Sequence, residues 1–276
     1  MFRSILVHVD RLNGSSERTL LAIDLARQFD ATLIGLTAGL PQLPIEFYAA
    51  DIGMVAAGPE YTEFDRKHLE AEFGKTAAAF QKATEGSGLE TSWRALFESP
   101  SLAIIRSATA ADLVVLGVGD HSLLGSLAAP SAGDVVLRTG RPILVVPETQ
   151  NRIKAENVMV AWKDTPEAQR AIADAVPFMK RAKSVVVAQV HEGSTRPPQL
   201  DEATAFLLRH GIAAKTLIIQ PNGMPVEDQV LDFATRGQID LIVAGAYGHS
   251  RLREWVFGGV TRGLLTHSPV PCLFSH

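Results

Sequence analysis

The sequence has few of the features that mark secreted, membrane-spanning or nucleic-acid-binding proteins. Its 276 residues include one cysteine, Cys272, which excludes a disulfide framework and a multi-cysteine metal site. No apolar run approaches the ~20 residues that a membrane-spanning helix needs. The net charge of −4 lacks the basic excess typical of proteins that bind nucleic acid. The opening segment MFRSILVHVD has no signal-peptide pattern, so we expect a cytoplasmic protein.

Patterns for catalysis and for metal binding are missing as well. The eight histidines never fall at the i, i+4 spacing of a zinc-binding helix, and no G-x-S-x-G motif of a serine hydrolase occurs. No combination of general base, nucleophile and oxyanion donor emerges from the sequence. We therefore expect no dedicated catalysis, with slow ATP hydrolysis as an alternative if ATP is bound.

The chain contains two copies of one pattern of alternating strands and helices. In the first copy we predict helices at 17–29, 60–85, 101–110 and 134–138, and strands at 4–10, 32–36, 91–97, 112–118 and 142–146. In the second we predict helices at 167–181, 198–210 and 226–236, a short last helix, and strands at 157–162, 184–191, 213–220, 240–246 and 271–274. Continuous apolar strands such as DLVVLGV and DLIVAGA are typical of parallel sheets that are buried on both faces.

This repeat predicts an α/β chain of two open, doubly wound parallel-sheet domains. The polar segment ETQNRIKAE at 148–156 separates the copies, so we place the domains at 1–148 and 149–276. The Pro-, Gly- and aromatic-rich stretch 41–58 has no counterpart in the second copy. It is either an insertion that faces a partner or a longer connection between a strand and a helix.

A glycine-rich loop follows the DLIVAGA strand of the second copy. Gly245 and Gly248 would let the chain turn tightly and let backbone N–H groups approach a ligand. Gly258, Gly259 and Thr261 lie at the start of the last helix, where free N–H groups and the helix dipole attract anions. The carboxyl ends of strands in an open α/β sheet are where ligands bind, so the loop predicts a phosphate site.

In these residues the sequence resembles the universal stress protein family. The spacing of Gly245, Gly248 and Gly258 matches the family pattern G-x2-G-x9-G-[S/T], and the closing PVPCLF segment also fits. The resemblance implies a five-stranded, adenine nucleotide alpha hydrolase-like sheet in each domain. It also implies ATP or AMP binding in some members, with Mg²⁺ accompanying ATP, and nucleotide-free scaffolds in others. Paired domains of the family associate through their last strands, which implies a pseudo-dimer within this chain and allows a homodimer.

The resemblance also gives a set of ligand-binding residues in the second copy, with Val160 and Val187 framing the base. The full set is Val160, Ala161, Lys163, Val187, Gly245, Gly248, His249, Gly258, Gly259 and Thr261. Two positions depart from the family. Gly259 stands where the family has a Ser or Thr, and Lys163 stands where ATP-binding members have an Asp, so one hydroxyl and one hydrogen-bond acceptor are lost.

The first copy keeps the strand-end carboxylate as Asp10 but changes the loop. Gly117 matches Gly245, whereas Asp120 and Pro130 replace the next two glycines. Asp120 adds negative charge where a phosphate would lie, and Pro130 removes an N–H donor. We therefore expect one adenine-nucleotide site, in the second domain of a stress-response protein.

Two alternatives to nucleotide binding stay open at this point. One is a nucleotide-free signalling or scaffold protein that contacts its partner through 41–58. The other is a protein that binds a different small anionic or lipid-like ligand beside Lys163.

Overall fold

Ten strands form one sheet in the computed structural model, which describes residues 1–41, 59–118, 129–191, 197–247 and 259–276. The strands are β1 (Ser4–His8), β2 (Thr32–Ala38), β3 (Thr91–Leu96), β4 (Leu113–Gly117), β5 (Ile143–Val146), β6 (Asn157–Ala161), β7 (Ser184–Val190), β8 (Ala214–Ile219), β9 (Leu241–Gly245) and β10 (Cys272–Ser275). Their order across the sheet is β3-β2-β1-β4-β5-β10-β9-β6-β7-β8.

Helices connect the strands on both faces of this sheet. They are α1 (Ser15–Phe29), α2 (Pro59–Thr84), α3 (Pro100–Ser107), α4 (Ala132–Arg138), α5 (Pro166–Asp174), α6 (Val176–Met179), α7 (Pro198–Arg209), α8 (Val226–Arg236) and α9 (Gly259–His267). None of these helices is long and apolar enough to cross a membrane. The predicted insertion at 41–58 lies outside the described residues from position 42 onward.

The sheet consists of two five-stranded parallel halves with the same strand order. Strands pair in parallel within each half, and β5 pairs antiparallel with β10 at the centre, where Leu144 faces Leu273. This confirms the predicted α/β class and the five-stranded sheet that the resemblance implied. Because the central pair is antiparallel, the strands of the two halves run in opposite directions. The carboxyl ends of the first half's strands therefore lie at the side of the sheet opposite to those of the second half, measured along the strand direction.

The central strands read as unbroken apolar runs because both of their faces are covered by helices. Each of Leu113, Val114, Val115 and Leu116 in β4 is fully buried, and successive residues pack into the clusters on opposite faces. The same alternation in β6 sends Val160 to one face and Ala161 to the other. The alternation therefore determines which residues at the strand ends face each layer of helices.

One predicted helix is divided in two. The periodicity of 167–181 predicts a single helix, whereas the structure has α5 ending at Asp174 and α6 running from Val176 to Met179. Pro177 explains the break, because proline has no N–H to donate and its ring clashes with the carbonyl of the preceding turn.

Aromatic packing adds a second contact between the halves. Phe2 and Phe29 belong to the first half, and their ring centroids lie 5.1 Å apart. The ring of Phe178, from the second half, lies 5.5 Å from that of Phe2. The Phe29 and Phe178 rings meet edge to face at 5.3 Å, an arrangement that aromatic pairs prefer. The halves therefore share side-chain core as well as the β5–β10 pairing.

Candidate functional site

A cavity of about 510 Å³ opens at the carboxyl ends of β6, β7 and β9 in the second half. From β6 the chain crosses to β7 on one side, and from β9 it crosses to β10 on the other side. The crevice between two such diverging connections is the usual ligand site of an open α/β sheet. The volume of the cavity falls in the range of small-molecule sites. The lining residues are Ala161, Trp162, Lys163, Thr165, Ala168, Ala188, Gln189, Val190, Val226, Val230, Ala244, Gly245, Tyr247, Gly259, Val260 and Thr261.

Three alanines in register form the floor of this cavity. Ala161 of β6 pairs with Ala188 of β7 on one side and with Ala244 of β9 on the other. All three belong to the same packing face of the sheet. Because each alanine presents only a methyl group, the row leaves space above the sheet.

Gly245, directly after this floor, lets the start of α5 approach the end of β9. A Cβ at Gly245 would overlap the backbone nitrogen of Ala168 and lie 2.6 Å from the carbonyl carbon of Glu167. Thr165 caps the same helix, since its Oγ1 accepts a hydrogen bond from the Ala168 N–H at 3.3 Å. The glycine thus sets the position of one wall of the cavity.

We expect Gly245→Ala to lower the free energy of unfolding by about 1–3 kcal/mol, because the contacting atoms are backbone and cannot rotate away. Urea denaturation followed by circular dichroism measures the change. Gly74→Ala is the control: Gly74 has open space around it in α2, and alanine there should stabilise the helix by about 0.5–1 kcal/mol. Equal effects at the two glycines would contradict the close approach at Gly245.

The loop after β9 is tied to the start of α9. The Tyr247 N–H donates a hydrogen bond to Thr261 Oγ1 at 3.4 Å, and Thr261 is buried. Tyr247 has a φ of 60°, an unusual conformation for a residue with a large side chain. The Tyr247 hydroxyl lies against Gly133 of α4 in the first half, and a Cβ on Gly133 would overlap this hydroxyl. Burial raises the pKa of the Tyr247 hydroxyl. The second half's cavity and the first half's last helix are therefore in contact through one side chain.

The structure brings five of the predicted ligand residues together around the cavity: Ala161, Lys163, Gly245, Gly259 and Thr261. Gly248, His249 and Gly258 lie outside the described residues.

Val160 and Val187 do not line the cavity, which corrects the prediction that they frame a base. Their side chains are fully buried on the opposite face of the sheet, and the next residues, Ala161 and Ala188, take the expected place. The error is a single residue in register, and such a shift moves every side chain of a strand to the other face.

In the first half the corresponding space is almost closed, with a cavity of about 30 Å³. Where the second half has its three alanines, the first half has His8, Leu36 and Leu116. His8 pairs with Leu36, and Leu116 follows Val115, the partner of Val7. All three side chains are at most 1 % exposed. Larger side chains on the floor thus account for much of the lost volume.

Arg18 fills the rest of this space. Its side chain crosses Gly117, where a Cβ would overlap the guanidinium. Its Nε donates to the His8 carbonyl oxygen at 2.8 Å and its Nη2 to Asp10 Oδ2 at 2.9 Å. In the second half the helix residue next to the matching Gly245 is Ala168, so the arginine has no counterpart.

Asp10 serves this internal contact and the loop that follows β1. Burial alone would raise the pKa of Asp10, but the adjacent His8 and the Arg18 charge together hold it well below its usual value. Its Oδ1 also accepts a hydrogen bond from the Leu12 N–H at 2.9 Å. The carboxylate that the resemblance associates with ligand binding is therefore bound to the protein itself.

Ala188, Ala244 and Arg18 distinguish the two halves, and none of them was predicted as a site residue from the sequence. The signal was present: aligning DLVVLGV with DLIVAGA places Leu116 opposite Ala244. The change from leucine to alanine at this strand position could have been found in the sequence. The packing of the Arg18 side chain against Gly117 could not.

The universal stress protein family model matches residues 1–147 and 209–276. A search of curated proteins finds no match. Among solved structures, a universal stress protein from Archaeoglobus fulgidus DSM 4304 is 16% identical with a TM-score of 0.69, over 99% of this chain and 95% of that one.

Two further solved structures add to this comparison. A functionally unknown protein from Pseudomonas aeruginosa PAO1 is also 16% identical, with a TM-score of 0.57 over 99% of this chain and 92% of that one. A universal stress protein in complex with cAMP is 21% identical and covers 53% of this chain and 98% of that one, with a TM-score of 0.36. The family model spans more than half of the sequence, and the chain belongs to the universal stress protein family.

Proposed function

We propose that this protein binds one adenine nucleotide, AMP or ATP, in the cavity of its second half, and acts in a stress response without dedicated catalysis. The observation that carries the proposal is the row Ala161, Ala188 and Ala244, which keeps the crevice open where the family's glycine pattern begins at Gly245. We further propose that the halves are tandem domains, 1–148 and 149–276, in a cytoplasmic protein.

The residues around the cavity suit a nucleotide in three respects. Alanine and valine side chains offer an apolar surface for a base, and Gln189 and Thr165 provide polar contacts at the wall. Gly259 and Thr261 at the start of α9 supply N–H groups and a hydroxyl for a phosphate. With ATP, Mg²⁺ would bind to phosphate oxygens and retain several waters.

Nucleotide binding should raise the melting temperature of the nucleotide-free protein, because a ligand that binds only the folded state stabilises it. Differential scanning fluorimetry with millimolar AMP or ATP measures the shift, and native mass spectrometry gives the stoichiometry, which we expect to be one per chain. No shift with either nucleotide, together with no bound mass, would contradict the proposal. Two nucleotides per chain would contradict the closed first half.

A second candidate ligand is an apolar molecule with one anionic group. Most of the lining side chains are apolar, and Lys163 lies exposed at the rim with its positive charge. Native mass spectrometry of the protein as purified distinguishes this ligand from a nucleotide by its mass.

A further inference from the structure

Glu227 lies beside the N-terminus of α9, the helix that is proposed to bind a phosphate. It is the second residue of α8, and its side chain reaches across to α9. A Cβ placed on Gly259 would lie 3.0 Å from Glu227 Oε1 and 3.1 Å from Oε2. A Cβ placed on Gly263, one turn later, would lie 2.6 Å from the Cβ of Glu227. The two glycines therefore allow the carboxylate to rest against the first turn of α9.

In the first half an uncharged side chain reaches the start of the last helix. Ser101 is the second residue of α3, and its Oγ accepts a hydrogen bond from the Ser131 N–H at 3.0 Å, just before α4. In both halves a side chain from the preceding helix thus reaches the start of the last helix. Only in the second half does that side chain carry a negative charge.

The charge of Glu227 has no compensating cation among the described residues, where no lysine or arginine forms an ion pair with it. A carboxylate at a helix N-terminus interacts favourably with the N–H groups and dipole that would otherwise attract a phosphate. Glu227 is half-buried and does not itself line the cavity, whereas its neighbour Val226 does. The charge of Glu227 therefore acts on a ligand from beside the first turn of α9, where it repels additional negative charge.

We propose that Glu227 determines which nucleotide the cavity accepts, by disfavouring ligands with an extended phosphate chain. The inference rests on the proposed nucleotide function and refines its substrate class: a nucleoside or nucleoside monophosphate binds in preference to the triphosphate. Each added phosphate adds negative charge to a ligand whose phosphate group is proposed to lie at the start of α9, so the penalty grows from adenosine to AMP to ATP.

Isothermal titration calorimetry tests the inference with adenosine, AMP and ATP, in EDTA and at fixed ionic strength so that metal bridging and screening do not vary. In the wild-type protein we expect ATP to bind about tenfold more weakly than AMP. Glu227→Gln keeps the shape of the side chain and its packing on Gly263. It should raise the ATP affinity about tenfold while leaving the adenosine affinity unchanged.

Asp228→Asn is the matched control, because it removes the same charge from the neighbouring, exposed position. It should change the ATP affinity by less than about twofold. The inference is overturned if E227Q and D228N act equally, or if E227Q leaves the ATP affinity unchanged. Adenosine separates the two proposals: adenosine binding with no E227Q effect on ATP removes only the role of Glu227, whereas no binding of any of the three ligands to either protein removes the nucleotide site as well.

Discussion

Replacing two floor alanines by leucine, as A188L/A244L, should weaken ligand binding in the second half about 100-fold while the protein stays folded. The change gives the second half the type of floor seen in the first, where Leu36 and Leu116 flank the strand β1. Leucine side chains at these positions occupy the space directly above the sheet. If displacing each of them costs the ligand about 1.4 kcal/mol, the affinity falls about 100-fold.

Titration calorimetry and native mass spectrometry measure this loss, and urea denaturation checks the fold. The free energy of unfolding should change by no more than about 2 kcal/mol in either direction, because the added methylenes enter existing space. Ala213→Leu is the control, since it makes a single alanine-to-leucine change at an exposed position that does not line the cavity. Undiminished ligand binding by A188L/A244L would show that the ligand binds elsewhere.

Removing the charge of Asp10 should destabilise the protein by about 3–5 kcal/mol at pH 7, because Arg18 is then left buried without its counter-ion. Asn at this position keeps an oxygen for the Leu12 N–H, so D10N isolates the loss of charge. Urea denaturation of both proteins gives the difference. The double variant D10N/R18M should recover much of the loss, since it removes both charges and puts an apolar side chain in place of the buried arginine.

The effect of D10N should depend on pH in one direction. The pKa of Asp10 in the folded protein lies below the unfolded-state value of about 3.9, so its ionised form stabilises the fold at higher pH. This contribution is lost as the pH falls through the folded-state pKa, and the difference between wild type and D10N should shrink below about pH 4. Asp232→Asn, in an exposed pair with Arg236, should cost less than about 1 kcal/mol and serves as the control. A constant D10N effect from pH 7 to pH 3 would contradict the ion pair.

Strand and helix positions were predictable because both carry strong periodic signals. The apolar runs of β4 and β9 are buried on both faces, and the predicted last strands do pair at the centre of the sheet. The helix break at Pro177 was the main exception. There the periodicity of a buried face continued across a residue that cannot continue the hydrogen bonds.

The site was less predictable, because a binding cavity depends on which face a strand end presents. Val160 and Ala161 are neighbours in sequence, and nothing in an unbroken apolar run marks the residue that faces the ligand. Arg18 raised a different difficulty. An arginine on an amphipathic helix is normally a surface residue, and only the space beside Gly117 and the carboxylate of Asp10 make its burial favourable.

The β5–β10 pairing has a consequence for how the two sites could diverge. In a dimer of two identical chains, any substitution that closes one site closes the other, so open and closed sites cannot coexist through sequence alone. Here both halves belong to one polypeptide, and each can change separately while the shared strands hold them together. The chain thereby combines the geometry of a symmetric assembly with a built-in inequality: one crevice filled by Arg18, the other left open above three methyl groups.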